Sequence, residues 1–356
     1  MRNLVILLFL LPIIGLSQGR KYSNSFLFLS VDARSLGMSN SVTASTNDVT
    51  SAYWNPAGLN HIGQSWQAAA MHAEYFAGIG QYDYLAFAKR LDKKNTVAVS
   101  MVRFGVDNIL NTTQLIDENG NVDYDRITKF TAADYALIGS LARTSEKVEN
   151  LRYGLNVKLI YRQIGDFARA FGFGFDLGAQ YDLGKWQVGA NLRDATSTFN
   201  AWSYTLDDFE DVFEQTGNEL PDENLELTLP SLNLGIGRKF KLNDKYTLQP
   251  ELNAEFTFGG KENTLVSADF GNISPSFGTE LGYKNLIFLR GGIGNIQKVT
   301  DINNKQTHTL QPNVGVGFLY HGVSIDYAFA DIGDASGNLY TNIISVKFDM
   351  AQFKKL

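Results

Sequence analysis

The sequence predicts an all-β chain: a 14-stranded antiparallel transmembrane β-barrel with an N-terminal plug segment. Three observations carry that prediction. Segments of about ten residues alternate apolar and polar with a period of two, which is the pattern of a strand with one greasy and one wet face. Their number, 14, is even. The connections between them alternate too, running from two to seven residues at one end and up to 37 at the other. Bacterial outer-membrane barrels sort short periplasmic turns and long external loops in this way, whereas a Greek-key sandwich has no reason to. Strand length agrees, because roughly 9 to 11 residues cross hydrocarbon at a tilt while globular strands peak near 5 or 6.

Composition removes several other classes. The 356 residues include 33 glycines, 7 prolines, 12% aromatics and no cysteine, which suits β structure with many turns and leaves no disulfide, thiolate nucleophile or Cys-ligated zinc. The four histidines, His61, His72, His308 and His321, are too scattered for a short metal motif, so no metal or cofactor is expected. A net charge of −6 disfavours nucleic acid as a partner.

The elements follow in order. Residues 1–17 read as a secretory signal peptide: Arg2, an apolar run from Leu4 to Leu16, then Gly15 and Ser17 before Gln18. Residues 18–66 alternate too little for a lipid-facing strand and carry small residues such as Gly37, Ser39, Ser41, Ala44 and Ala52, so they need a protein surface to pack on. Residues 67–348 form the barrel. Leu155, Val157 and Leu159 oppose Asn156 and Lys158; Trp186, Val188, Ala190 and Leu192 oppose Gln187, Asn191 and Arg193; Leu248, Leu252, Ala254 and Phe256 oppose Gln249, Glu251, Asn253 and Glu255. Aromatics such as Tyr153, Trp186, Tyr246 and Tyr320 sit at the ends of apolar rows, as interfacial girdles do. Residues 349–356 read as a short periplasmic tail. Pro250 and Pro312 fall inside predicted strands, where each removes a ladder donor; the readings are a local bulge or a kink that opens the wall sideways.

Two pieces of the N-terminal segment resemble the opening of the PorV/PorQ family of outer-membrane barrels: Asp32-Ala33-Arg34 with Gly37-Met38, and Trp54-Asn55-Pro56-Ala57-Gly58-Leu59. That family belongs to Bacteroidota, is associated with type IX secretion and is distantly similar to the long-chain fatty-acid channels. The resemblance implies that the segment plugs the periplasmic mouth, with Asp32 and Arg34 available to Lys158, Arg152, Glu251 or Glu255. It also implies a role in secretion, with external loops recognising secreted cargo signal domains or secretion-machinery subunits.

The loop 194–230 holds ten acids and no Lys or Arg. Trp202, Tyr204, Asp207, Asp208, Phe209, Glu210 and Asp211 are its candidate partner-binding residues, as aromatic anchors beside acidic groups. Asp117, Asn119, Asn121 and Asp123 alternate as oxygen ligands do, but Gly120 and Thr128 are wrong for an EF-hand. No Gly-x-Ser-x-Gly elbow is present, so no catalytic residues are assigned and no enzymatic activity is expected. The expectation is therefore a non-enzymatic outer-membrane barrel in contact with outer-membrane lipid, acting as a binding and shuttle component of type IX protein secretion. The alternative is a passive transporter of hydrophobic small molecules.

Overall fold

The computed structural model describes residues 23–63, 65–116, 120–205, 224–300, 306–331 and 340–353. Fourteen strands form one closed antiparallel wall. They are β1 (Trp66–Tyr75), β2 (Gly80–Arg90), β3 (Asn95–Asn111), β4 (Thr128–Thr144), β5 (Leu151–Ile164), β6 (Ala168–Leu183) and β7 (Trp186–Arg193). The second half comprises β8 (Ser231–Arg238), β9 (Tyr246–Thr257), β10 (Gly271–Tyr283), β11 (Ile287–Thr300), β12 (Gln306–Tyr320), β13 (Val323–Asp331) and β14 (Tyr340–Asp349). Closure runs from Gln67↔Asp349 to Glu74↔Asn342, so the first and last strands leave no open edge. In hydrocarbon this is what permits strands at all, since backbone groups have no water to bond. Among the described residues no helix is long and apolar enough to cross a membrane.

Orientation follows the alternation. On β5 Leu159 is 56% exposed while its neighbour Lys158 is 1% exposed, so oily rows face lipid and polar rows face the lumen. The girdle at the short-turn end includes Trp186, over which Arg238 lies at 5.4 Å, and Tyr246 against Tyr283 at 5.1 Å. The chain is a bacterial outer-membrane barrel, with the short turns periplasmic and the long loops external.

Several strands outrun their predicted lengths. β3 and β4 each have 17 residues, and β5 and β6 continue to a turn of only three residues, 165–167. Their upper ends rise beyond the hydrocarbon, where neither face meets lipid and the alternation is no longer required. Above β7 the chain bends through Asp194 and Ser197, both at positive φ, and resumes as a strand, Thr198–Tyr204, that pairs again with β6. Leu225–Thr228 then pairs with that strand and returns to β8.

Residues 23–62 lie inside the barrel. They contain short helices α1 (Ala33–Gly37) and α2 (Ser51–Trp54) and 3-10 turns at Ser25–Phe28 and Pro56–His61. The segment reaches well beyond the periplasmic mouth, since Asn24 donates to Thr228 in the external extension at 2.8 Å. Neither Pro250 nor Pro312 breaks the wall: each keeps register, opposite Thr279 and Ile293 respectively.

Candidate functional site

The plug is held by contacts that need its particular residues. Asp32 caps α1, accepting from Ser35 N at 2.9 Å and Ser35 Oγ at 2.7 Å, and its second oxygen also accepts from the Trp54 indole at 2.8 Å. The two motifs are thus one buried unit. Ala33 N donates to Ser345 Oγ of β14 at 3.1 Å. Asn55 caps the turn that begins at Pro56, and its amide donates to Thr43 O and to Ala179 O of β6. Ala57, Gly58 and Leu59 pack behind it, and a Cβ on Gly58 would collide with Thr46 O and Ser51.

The wall receives the plug on glycine. Three cross-strand pairs, Gly154↔Gly178, Gly189↔Gly235 and Gly278↔Gly292, face inward. Asn55–Ala57, Thr43–Ala44 and Met38–Ser39 lie respectively on these pairs, at separations where a Cβ would clash, with plug backbone on Gly154, Gly189, Gly278 and Gly292 and the Asn55 and Pro56 side chains on Gly178. Gly37 meets Gly315 of β12 in the same way.

Charge completes the attachment. Arg34 pairs with Glu280 at 3.1 Å, Glu280 with Arg290 at 2.7 Å, and Arg290 with Asp326 at 2.6 Å. Lys347 pairs with Asp48 at 2.7 Å. Burial alone would raise the Asp48 carboxyl, but Lys347 holds it well below the usual range. Burial and nearby Arg152 push the His61 imidazole down to about 4. Of the lumen charges expected for them, Arg34 feels Glu251 electrostatically but forms its ion pair with Glu280, and Asp32 bonds within the plug. Lys158 instead bridges Asp176 and Asp194 at 2.6 and 2.5 Å, and Glu251 accepts from Ala44 N at 2.7 Å. Arg152 pairs with Asp182.

Above the plug, in the long-loop half, lies a chamber of about 650 Å³. Its floor includes Phe28, Leu29, Leu36 and Trp54. Four tyrosines close the lumen beside it: Tyr53, Tyr75, Tyr82 and Tyr84 are each no more than 2% exposed. The Tyr53 hydroxyl donates to Leu27 O, and that of Tyr82 donates to Phe26 O at 2.9 Å.

One side of the chamber is a gap in the wall. The β10–β11 ladder runs from Tyr283↔Ile287 up to Phe277↔Ile293 and stops. Above it Ser274, Pro275 and Ser276 have no partners on β11. Proline supplies no N–H, and β11 bulges away, spending three residues from Gly294 to Gln297 where β12 spends two, with Asn295 at φ 48. The top of the frame is the hairpin arm before β10: Val266–Ala268 pairs with Gly271–Ile273, Thr264 bridges to Gln297, and Lys298 N donates to Asn263 O. On the lipid side a groove of about 420 Å³, lined by Ala179, Ala190, Leu234, Ile236, Leu252 and Ala254 among others, leads to the same Pro275 that lines the chamber.

Sequence reading missed Pro275, Glu280, Arg290 and Asp176. The signal for the charged three was their place on inward parities; for Pro275 it was the weak alternation of its strand. Of the candidate loop residues, Trp202 and Tyr204 stack on each other with ring centroids 6.2 Å apart, and Arg162 lies 5.0 Å over Trp202, whose indole donates to Glu226 at 3.1 Å. They are part of the wall extension. Asp207, Asp208, Phe209, Glu210 and Asp211 lie outside the described residues, as do Asp117 and Asn119. Among the described residues no group of three or more His, Asp or Glu could hold a metal.

No family model matches the chain, and neither does any curated protein. Solved structures do. The toluene transporter TbuX of Ralstonia pickettii aligns with 13% identity over 90% of this chain and 98% of its own, at a TM-score of 0.55. The toluene transporter TodX of Pseudomonas putida aligns with 13% identity over 90% and 96%, at 0.51. A FadL homologue of Pseudomonas aeruginosa aligns with 12% identity over 90% and 98%, at 0.50. At such identities the likeness is one of fold, and it spans about nine-tenths of the chain. It corrects the expectation of PorV/PorQ kinship, and with it the role in type IX secretion and the secreted-cargo or secretion-machinery partners: the three barrels aligned above are described as two toluene transporters and a FadL homologue. The Asp32–Met38 and Trp54–Leu59 motifs are accounted for by plug packing alone. The chain is a β-barrel of the outer membrane.

Proposed function

We propose that this barrel is a passive channel for hydrophobic small molecules, which pass between the chamber and the bilayer through the gap between β10 and β11. The observation that carries the reading is the gap itself. A three-residue interruption of the ladder, Ser274 to Ser276, stands where Pro275 lines both an internal chamber and an apolar groove on the lipid face. Passage straight along the axis is obstructed by a plug whose backbone rests on three glycine pairs and whose charges are satisfied by the wall. Similarity to barrels described as toluene transporters supports the same class of cargo.

Closing the gap tests it. A Cβ on Gly294 would lie 3.2 Å from that of Ser276, slightly closer than the roughly 3.5 to 4.5 Å of disulfides, and the chain has no other cysteine. Oxidised Ser276→Cys/Gly294→Cys protein is expected to lose most toluene uptake in cells expressing it, with recovery on reduction. Uptake that is the same in both redox states, with the cross-link verified, rejects the sideways route.

A further inference from the structure

We infer that the lipid face of β6 to β10 binds an anionic phospholipid of the periplasmic leaflet, with its phosphate on Arg238 and one acyl chain in the groove above. The inference does not depend on the channel reading.

The groove is built by the ladder register. Ala179, Ala190, Leu234, Ala254 and Pro275 stand side by side across five strands, all on outward parities. Three alanines keep the floor of that row low. The outward rows beside it are bulky: Leu192, Leu232 and Phe256 on the external side, Val188, Ile236 and Leu252 on the periplasmic side. Between these two ridges runs a trough of about 420 Å³ that no charged side chain lines. An acyl chain lying in it is flanked on both sides, which a level wall would not provide.

Below the trough stands a cation without an acid. Arg238 follows Ile236 by two positions on β8, about 7 Å nearer the periplasm, on the same outward parity and partly exposed. Its guanidinium lies 5.4 Å from the Trp186 ring centre and 4.5 Å from that of Phe240, so stacking holds it at the girdle. Nε is enclosed and out of a ligand's reach, which leaves the two terminal amino groups; among the described residues these make no hydrogen bond or ion pair. Other arginines at this end are engaged: Arg90 with the carbonyls of Asn60 and Ile62, Arg143 with Glu146, and Arg152 with Asp182. Residues 239–245 add Lys239, Lys241 and Lys245 against one acid, Asp244, which Lys241 already takes at 2.9 Å. A free guanidinium at headgroup depth, backed by further cations, attracts a phosphate, and its planar fork suits two phosphate oxygens. The short turns are periplasmic, so the headgroups at this depth are those of phospholipids.

The test titrates the full chain, purified in detergent, with phosphatidylglycerol and with phosphatidylcholine of the same acyl chains, and counts bound lipid by native mass spectrometry. The first phosphatidylglycerol is expected to bind about fivefold more tightly than phosphatidylcholine. Arg238→Gln is expected to erase that preference, whereas Arg143→Gln, which removes a cation already paired with Glu146, leaves it in place. Ala190→Leu/Ala254→Leu fills the trough and is expected to weaken both lipids while keeping their ratio. Assembly is checked by heat-modifiable migration. If Arg238→Gln does not assemble, Arg238→Lys, which lacks the fork, is expected to lower the preference roughly twofold. Equal affinities for the two lipids in the wild type, a full preference in the assembled Arg238 variant, or unchanged affinities with the trough filled would each overturn the inference. So would a dimer that the filled trough dissolves, since the occupant would then be a second copy of the chain.

Discussion

Replacing Gly278 by alanine tests how the plug is seated. Its ideal Cβ would clash with Met38 O and lie 2.7 Å from Met38 Cβ, where ordinary contacts begin near 3.4 Å. The plug backbone must therefore withdraw by roughly 1 Å, and overpacking on that scale costs about 1–3 kcal/mol. Retreat is limited, because the same Met38–Ser39 backbone also rests on Gly292, the cross-strand partner of Gly278. Gly278→Ala and Gly292→Ala are each expected to lower stability by that amount in denaturant unfolding of the detergent-solubilised barrel. The double variant will not be additive, since both side chains press on one segment. Displacing the plug should also open the lumen to ions, so single-channel recording in planar bilayers is the second readout: a closed wild type and a conducting double variant. Gly291→Ala is the internal control, as a Cβ there meets nothing within 4 Å. Wild-type stability and silence in the double variant would refute the reasoning that backbone contact on glycine holds the plug.

Two other predictions concern buried charge and proton uptake. Lys158→Met leaves Asp176 and Asp194, 3% and 6% exposed at their side chains, without their shared cation, and is expected to cost about 3–5 kcal/mol in unfolding experiments, much of it recovered when both acids are also changed to Asn; a loss under about 1 kcal/mol would contradict the assignment. His61, held near 4 against an ordinary value of 6.5, stays neutral in the folded barrel while the unfolded chain takes up a proton, so its contribution is intact above about pH 6.5 and is lost as pH falls towards 4. At pH 5 the difference reaches at most about 2 kcal/mol, and His61→Gln should flatten that part of the stability profile. An unchanged slope would show that His61 is not the group responsible.

The parts of this architecture that lipid dictates were readable from the sequence, and the parts dictated by the interior were not. Val157 and Leu159 flank Lys158 because one side of β5 meets hydrocarbon, and that constraint writes itself into neighbouring residues. Once β3 and β4 rise above the bilayer the constraint lapses, so their upper turns were read as loop. Interior partnerships leave no local trace: Arg34 and Glu280 are 246 positions apart, and Asp32 turned out to serve Trp54 inside the plug. The glycine count speaks for many turns, yet Gly154 and Gly178 are paired across strands to admit Pro56. Of three strand prolines only Pro275 borders a gap, because β11 bulges away beside it while Pro250 and Pro312 keep ladder register with their neighbours.

A polar lumen and an apolar cargo are compatible once the charged groups are assigned their work. Arg34, Glu280, Arg290, Asp326, Asp48 and Lys347 are committed to one another across the plug-to-wall boundary, so a molecule moving down the axis would have to separate buried ion pairs, at several kcal/mol each. Moving sideways it meets a frame of neutral side chains among the described residues. The frame consists of Ser274, Pro275, Ser276, Gly294 and Asn295, and outside it the groove offers Leu234, Leu252 and Ala254. Burying an alkyl chain there is favourable by about 0.8 kcal/mol per methylene, so an apolar cargo is drawn out from the chamber towards the bilayer. The lowest barrier therefore lies through the wall, and the plug makes it so by raising the alternative.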